Sequence, residues 1–222
     1  MSGIVKSCLA AIEDGSANRF DSAVLRACIA LDASSQAHFT TKKSTKTQFK
    51  NFVREYYWLL QMMQGGGVDL EKTRFDNAAL TSNGKAIVNP DFADVIYHAY
   101  RCDLVHEGDF RSGFDVSLSS ANSAEWLIAD NMLVMPSRIL WGLVAVCVFA
   151  KSNSDLTSSS GHNLTWTANS FGRPTFTFIL QESWGQEDKL RELLKQYPLG
   201  PIVELKGLDF KQQPALPTQS PL

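Results

Sequence analysis

The stretch that decides the fold runs from residue 90 to residue 108 and reads Pro90-Asp91-Phe92-Ala93-Asp94-Val95-Ile96-Tyr97-His98-Ala99-Tyr100-Arg101-Cys102-Asp103-Leu104-Val105-His106-Glu107-Gly108. A proline followed by acidic residues is typical of a helix N-terminus, where a fixed φ and negative charge are both favoured. Apolar residues then recur at helical spacing and predict one buried stripe, formed by Phe92, Ile96, Tyr100 and Leu104. We therefore predict a helix over about residues 90–106, which stops before Gly108.

Two charged or ionisable side chains near the end of this helix point to chemistry on phosphate. Arg101 and His106 are separated by four residues. Arginine carries a permanent charge on a planar fork of donors, and histidine exchanges protons near neutral pH. Cleavage of an RNA backbone needs both properties, because a base must take the 2′-hydroxyl proton while a cation holds the phosphate. The alternative is a surface role, with His106 favourably placed as a cation at a helix C-terminus.

The run Tyr100-Arg101-Cys102-Asp103-Leu104-Val105-His106-Glu107-Gly108 resembles the signature helix of the HEPN superfamily, small all-helical domains marked by Arg-x(4–6)-His. The upstream run from Phe20 to Asp32, apolar and ending in an acidic residue, is similar to an earlier core helix of those domains. The resemblance covers about residues 4–150. Active members often carry Asn, Asp or His after the arginine, whereas this chain has Cys102 there and Asp103 next.

The resemblance implies a metal-independent endoribonuclease that acts as a homodimer with a composite site and uses no cofactor. Its catalytic residues would be Arg101, His106 and Asp103, and its substrate would be RNA. Such proteins include toxins and defence proteins, so an antitoxin or a nucleotidyltransferase is a candidate partner. The alternatives are a non-catalytic HEPN-like interaction or regulatory module, and a helical protein unrelated to the superfamily.

Candidate substrate-binding residues lie in two places. The stretch from Lys42 to Lys50 carries four lysines, of which Lys42, Lys43 and Lys46 could form a local basic patch; a solvated loop is the alternative, because no aromatic interleaves these three. Near the motif, Tyr100 could hydrogen-bond phosphate and Glu107 could orient a catalytic side chain, although the position of Tyr100 on the apolar stripe favours a core role. The formal net charge of −2 excludes a broadly basic nucleic-acid surface.

Composition sets the remaining expectations. A chain of 222 residues with 44% apolar and 20% charged residues is typical of a soluble globular protein with one domain, or one domain and an appendage. The cysteines lack metal-ligand spacing, which predicts no metal site and free thiols in a reducing compartment: Cys8, Cys28, Cys102 and Cys147. The N-terminus has no hydrophobic signal core, which predicts a cytoplasmic protein. The apolar run 139–150 is too short to cross a bilayer and predicts a buried central helix.

Periodicity predicts a mainly α fold, a HEPN-like bundle of about four to five helices with a C-terminal β-hairpin and short helix. The helices are expected at about 3–13, 19–38, 45–64, 90–106 and 134–151, with an irregular connection at 68–88. Alternating residues predict a hairpin between 164 and 180, followed by a helix at about 186–196 and a strand at 202–205. We accordingly divide the chain into a bundle at 1–151, an appendage packed on it at 152–210, and a disordered Pro-rich tail at 211–222.

Overall fold

The structure is a computed structural model that describes residues 2–63, 67–75, 80–82, 85–102, 114–116, 126–129, 132–158, 161, 163–167, 175–196 and 202–203. Helices dominate it, which confirms the predicted mainly α fold. In chain order they are α1 (Gly3–Ser16), α2 (Phe20–His38), α3 (Lys46–Glu55), α4 (Tyr57–Met63), α5 (Phe92–Val95), α6 (Arg138–Phe149), α7 (Leu180–Ser183) and α8 (Glu187–Lys195). A π-helix, Ile96–Cys102, continues α5, and a 3₁₀ turn, Lys151–Asn153, follows α6.

The bundle is built round α6, which packs against α1, α2 and α4. Its run of apolar residues is buried from Gly142 to Phe149, as expected for a helix surrounded by others. Gly142 allows α4 to approach closely, because a Cβ there would lie 3.0 Å from the Cδ2 of Leu60. The predicted central buried helix is therefore confirmed. No helix among the described residues is both long and apolar enough to span a membrane.

Three predicted helices differ in extent or type from the structure. The central helix begins at Arg138 rather than 134, because Met132–Met135 is a strand and Pro136 follows it. The predicted helix 45–64 is two helices, α3 and α4, which are separated at Tyr56. The motif helix is α-helical only as far as Val95 and is π-helical from Ile96 to Cys102. Three of the four predicted stripe residues, Phe92, Ile96 and Tyr100, are fully buried, while Leu104 and the rest of the predicted helix to residue 106 lie outside the described residues.

Nine short strands complete the described structure: β1 (Gly67–Val68), β2 (Thr81–Ser82), β3 (Lys85–Ala86), β4 (Phe114–Val116), β5 (Leu127–Ala129), β6 (Met132–Met135), β7 (Asn163–Thr167), β8 (Thr175–Ile179) and β9 (Ile202–Val203). In the sheet β4-β6-β5, β4 runs parallel and β5 antiparallel to β6. Strand β9 pairs in parallel with β1, and β2 pairs with β3. The sequence predicted neither the three-stranded sheet nor the partner of β9.

The predicted C-terminal hairpin is β7 paired with β8, with Leu164 opposite Phe178, and the predicted short helix is α8. The hairpin and the turn before α8 both contact the bundle. The ring of Phe178 packs edge-on against Phe149 at 5.0 Å, and the backbone N–H of Gly185 donates to the carbonyl of Val148 at 2.8 Å. The proposed division at residues 151 and 210 stays a prediction, and the tail 211–222 lies outside the described residues.

A buried polar contact also joins α8 to the bundle. The Tyr56 hydroxyl donates to the Glu187 carboxylate at 2.7 Å, and Arg191 pairs with the other oxygen of Glu187 at 2.8 Å. The guanidinium of Arg191 in turn stacks 3.8 Å above the Trp58 ring. These contacts satisfy a nearly buried carboxylate, which would be costly to leave unpaired.

Candidate functional site

The end of the motif helix is positioned by α5 and the π-helix. Asp91 caps α5, and its side chain forms a capping box with Asp94. A π-helix has more residues per turn than an α-helix, and single π turns are frequent at functional sites. Within this segment the ring of Tyr97 lies 5.3 Å from the guanidinium carbon of Arg101.

Arg101 is tied to α2 by a long-range ion pair. Its Nη2 donates to Oδ2 of Asp32 at 2.8 Å, and the two side chains are 26% and 23% exposed. Burial opposes the charge on Arg101, but the hydrogen bond and charge of Asp32 outweigh it and raise the guanidinium pKa. Arg101 therefore remains charged, fixed at one nitrogen and partly open to solvent.

Two lysines lie on α3, the helix that packs against the π-helix. Lys46 and Lys50 are one helical turn apart. Lys50 donates to Asp94 at 2.7 Å, while Lys46 donates to the Ser82 hydroxyl. Burial and the charge of Lys50 together lower the Lys46 pKa, and Cys102 acts in the opposite direction. Lys46 therefore has a neutral hydroxyl as its hydrogen-bond partner, whereas Lys50 is paired with a carboxylate.

Ion pairs connect α3 to the start of α5. Arg54 donates from Nε to Oδ2 of Asp91 at 2.6 Å, and its Nη2 lies 3.4 Å from Asp94. Burial opposes ionisation of Asp91, but the bonds from Arg54 and from the Asp94 backbone prevail and lower its pKa. The three carboxylates Asp32, Asp91 and Asp94 therefore pair with three cations, Lys50, Arg54 and Arg101.

The structure places the predicted site residues in different environments. Arg101 and Lys46 lie on adjoining elements, as described above, while Lys42 and Lys43 are exposed in the loop before α3. Tyr100 is 0% exposed in the core. Its predicted contact with phosphate is therefore not supported, because its side chain belongs to the packed stripe. Asp103, His106 and Glu107 lie outside the described residues, so their roles stay predictions.

Sequence reasoning missed two contacts of Arg101. The sequence indicates the apolar run that ends in Asp32 but not the ion pair, because 69 residues separate the partners and no local spacing connects them. Tyr97 is absent from the predicted site, although an aromatic residue four positions before an arginine on a helix is a detectable signal.

The structure also describes the four cysteines and the side chains that could bind a metal ion. All four cysteines are free; Cys8, Cys28 and Cys147 are buried, and Cys102 is partly exposed. Burial raises the pKa of the Cys28 thiol, which makes it unreactive. In the part of the chain that the structure describes, no group of three or more His, Cys, Asp or Glu side chains could hold a metal ion.

Comparison with known proteins places the chain in a family. The Rv1289 family profile matches residues 3–213. The uncharacterized protein Rv1289 of Mycobacterium tuberculosis is 30% identical over 176 residues, which cover 79% of this chain and 80% of that protein. The uncharacterized protein Mb1320 of Mycobacterium bovis is similar to the same extent. No solved structure matches the chain. The chain therefore belongs to the Rv1289 family.

Proposed function

We propose that this protein is a metal-independent endoribonuclease of the HEPN type, with Arg101 and His106 at the centre of its site. The observation that carries the proposal is the state of Arg101. It is held by Asp32 from the upstream helix of the HEPN resemblance, yet about a quarter of its side chain remains exposed. A guanidinium has five N–H donors, so the bond to Asp32 leaves others to bind a phosphate.

The charge around α3 supports phosphate as the ligand. Lys42, Lys43 and Lys46 precede or begin α3, and its first turn contains no acidic residue. Cations are disfavoured at a helix N-terminus, because the helix dipole is positive there. The lysines therefore do not stabilise α3, but together with the helix dipole they make its N-terminal end positive, which favours binding of an anion. The phosphate backbone of RNA is such an anion.

The proposed reaction uses these residues as follows. Neutral His106 takes the proton of the 2′-hydroxyl, the 2′-oxygen attacks the adjacent phosphorus, and the bond from phosphorus to the 5′-oxygen breaks. A protonated histidine from a second copy of the chain gives its proton to the departing 5′-oxygen. Arg101 binds the charge that builds on the non-bridging oxygens, and Asp103 orients one of these side chains. The products are a 2′,3′-cyclic phosphate and a 5′-hydroxyl.

The same proposal covers the biological setting. A homodimer would bring two Arg101–His106 pairs to one cleft, as the composite site requires. A role as a cytoplasmic toxin or defence protein, with an antitoxin or a nucleotidyltransferase as partner, follows from the resemblance alone.

A second candidate function is a non-catalytic HEPN-like interaction module. The observation that favours it is the ion pair itself, since Asp32 offsets the charge of Arg101 and acidic partners offset Lys50 and Arg54. On this alternative the pair joins α2 to the π-helix and serves only the fold.

The experiment is cleavage of a mixed set of labelled RNAs in EDTA by the wild type and by Arg101→Ala and His106→Ala. Arg26→Ala is the matched control, because Arg26 is an exposed arginine on α2. We expect cutting by the wild type and Arg26→Ala, and none by the other two variants. Circular dichroism and sedimentation must show that every variant keeps the wild-type fold and oligomeric state. An inert wild type, or equal cutting by all four proteins, would reject the nuclease and favour the interaction module.

A further inference from the structure

We propose that Tyr97 is a positioning residue, whose ring holds the Arg101 guanidinium in the orientation that binds phosphate. This inference rests on the proposed function and extends it to a residue that the HEPN motif does not contain. It concerns the contact of the guanidinium with an aromatic ring, which is separate from its hydrogen bond to Asp32.

The geometry of the contact is that of a cation–π interaction. The guanidinium carbon of Arg101 lies 5.3 Å from the centroid of the Tyr97 ring, inside the range of about 6 Å over which a ring attracts a cation. Asp32 binds Nη2 at 2.8 Å. A ring contact and a hydrogen bond from a different helix together restrict the long arginine side chain, which lowers the entropy lost when a phosphate binds.

The ring of Tyr97 is itself fixed. Phe49, fully buried on α3, meets it edge-on at 5.4 Å, and His98 meets it at 4.9 Å. Tyr97 therefore contacts both Arg101 and α3, the helix that carries Lys46 and Lys50.

Burial separates this role from that of an ordinary core residue. Tyr100 is fully buried, whereas Tyr97 is only partly buried and covers a cation that is itself partly exposed. Tyr97 therefore differs from a core tyrosine in that it packs against a charged side chain at the edge of the core. A phenylalanine in its place would keep the ring, and a leucine would keep bulk without it.

The first arm of the test observes the contact without any substrate. In protein labelled with ¹⁵N-arginine, the Nε–Hε signal of Arg101 is identified by its loss in Arg101→Lys. We expect a ring-current displacement of this signal in the wild type and in Tyr97→Phe, and its loss in Tyr97→Leu. An unchanged signal in Tyr97→Leu would overturn the inference, whatever the activity of the protein.

The second arm measures RNA cleavage, with urea unfolding as a check on stability. A partly desolvated cation–π contact is worth about 1–2 kcal/mol, so Tyr97→Leu should lower kcat/KM by roughly 5- to 30-fold, while Tyr97→Phe stays within about threefold. If the wild type cuts RNA and Tyr97→Leu cuts equally well, the positioning role fails and the nuclease stands. If the wild type is inert, the proposed function fails and the role of Tyr97 in it falls too; the arginine signal still shows whether the ring contact exists.

Discussion

The ion pair between Asp32 and Arg101 should make a measurable contribution to stability. At a separation of 2.8 Å the Coulomb attraction is about 1.5 kcal/mol in a water-like dielectric and about 6 kcal/mol at an effective dielectric of 20. Part of this is offset by desolvation, since both side chains are about three-quarters buried. We therefore expect a coupling energy of about 1–2 kcal/mol, above the usual value for exposed pairs.

A double-mutant cycle measures this energy directly. Urea unfolding of the wild type, Asp32→Asn, Arg101→Met and the double variant gives the coupling as the departure from additivity. With a urea m-value of about 2 kcal/mol/M, the coupling corresponds to roughly 0.5–1 M in the midpoint. A coupling below about 0.3 kcal/mol would refute the reasoning.

The chain provides a matched control for this cycle. Arg19 and Asp14 are 2.7 Å apart, but the Arg19 side chain is 58% exposed. Solvent screens such a pair, so its coupling should not exceed about 0.5 kcal/mol. Equal couplings for the two pairs would show that burial does not strengthen the contact of Arg101.

Three further predictions concern the scaffold. Gly185→Ala should lower the free energy of unfolding in urea by about 3 kcal/mol, because Gly185 has φ +70° and a Cβ there would lie 2.4 Å from the Cα of Ser154. The control is Gly161→Ala, which should change the free energy of unfolding by less than about 0.5 kcal/mol, because no atom lies within 4 Å of the added Cβ. Burial and the hydrogen bond to a carboxylate raise the pKa of Tyr56. The Tyr56 hydroxyl therefore contributes fully to the free energy of unfolding below pH of about 10, and this contribution is lost as the pH rises further. In urea unfolding at alkaline pH, Tyr56→Phe should lose less stability with rising pH than the wild type does. The lowered pKa of Asp91 contributes stability above pH of about 4 that is lost on acidification, and Arg54→Met should flatten this acid limb; an unchanged acid limb would contradict the assignment.

Local patterns were sufficient where one element decides its own structure. The apolar run of α6 predicted a buried helix because no face of it is polar, and alternation at Phe176 and Phe178 predicted the hairpin strand β8. Spacing of four residues between Phe92, Ile96 and Tyr100 predicted a buried stripe but could not separate α from π geometry, since both place such residues on one face.

Features that depend on packing between distant segments were not predictable in this way. Strands of three or four residues, such as β4 and β6, have weak local signals, and their parallel pairing is fixed by the rest of the fold. Arg101 could be selected from its motif. Its partner Asp32 could not, because only the packing of α2 against the π-helix brings them together.

The most direct test of the proposed nuclease is analysis of the RNA ends left by the purified protein in EDTA. We predict 2′,3′-cyclic phosphate and 5′-hydroxyl ends from the wild type and no products from Arg101→Ala or His106→Ala. Ends bearing a 5′-phosphate, or products that persist in both variants, would contradict the assignment of Arg101 and His106 to the chemistry.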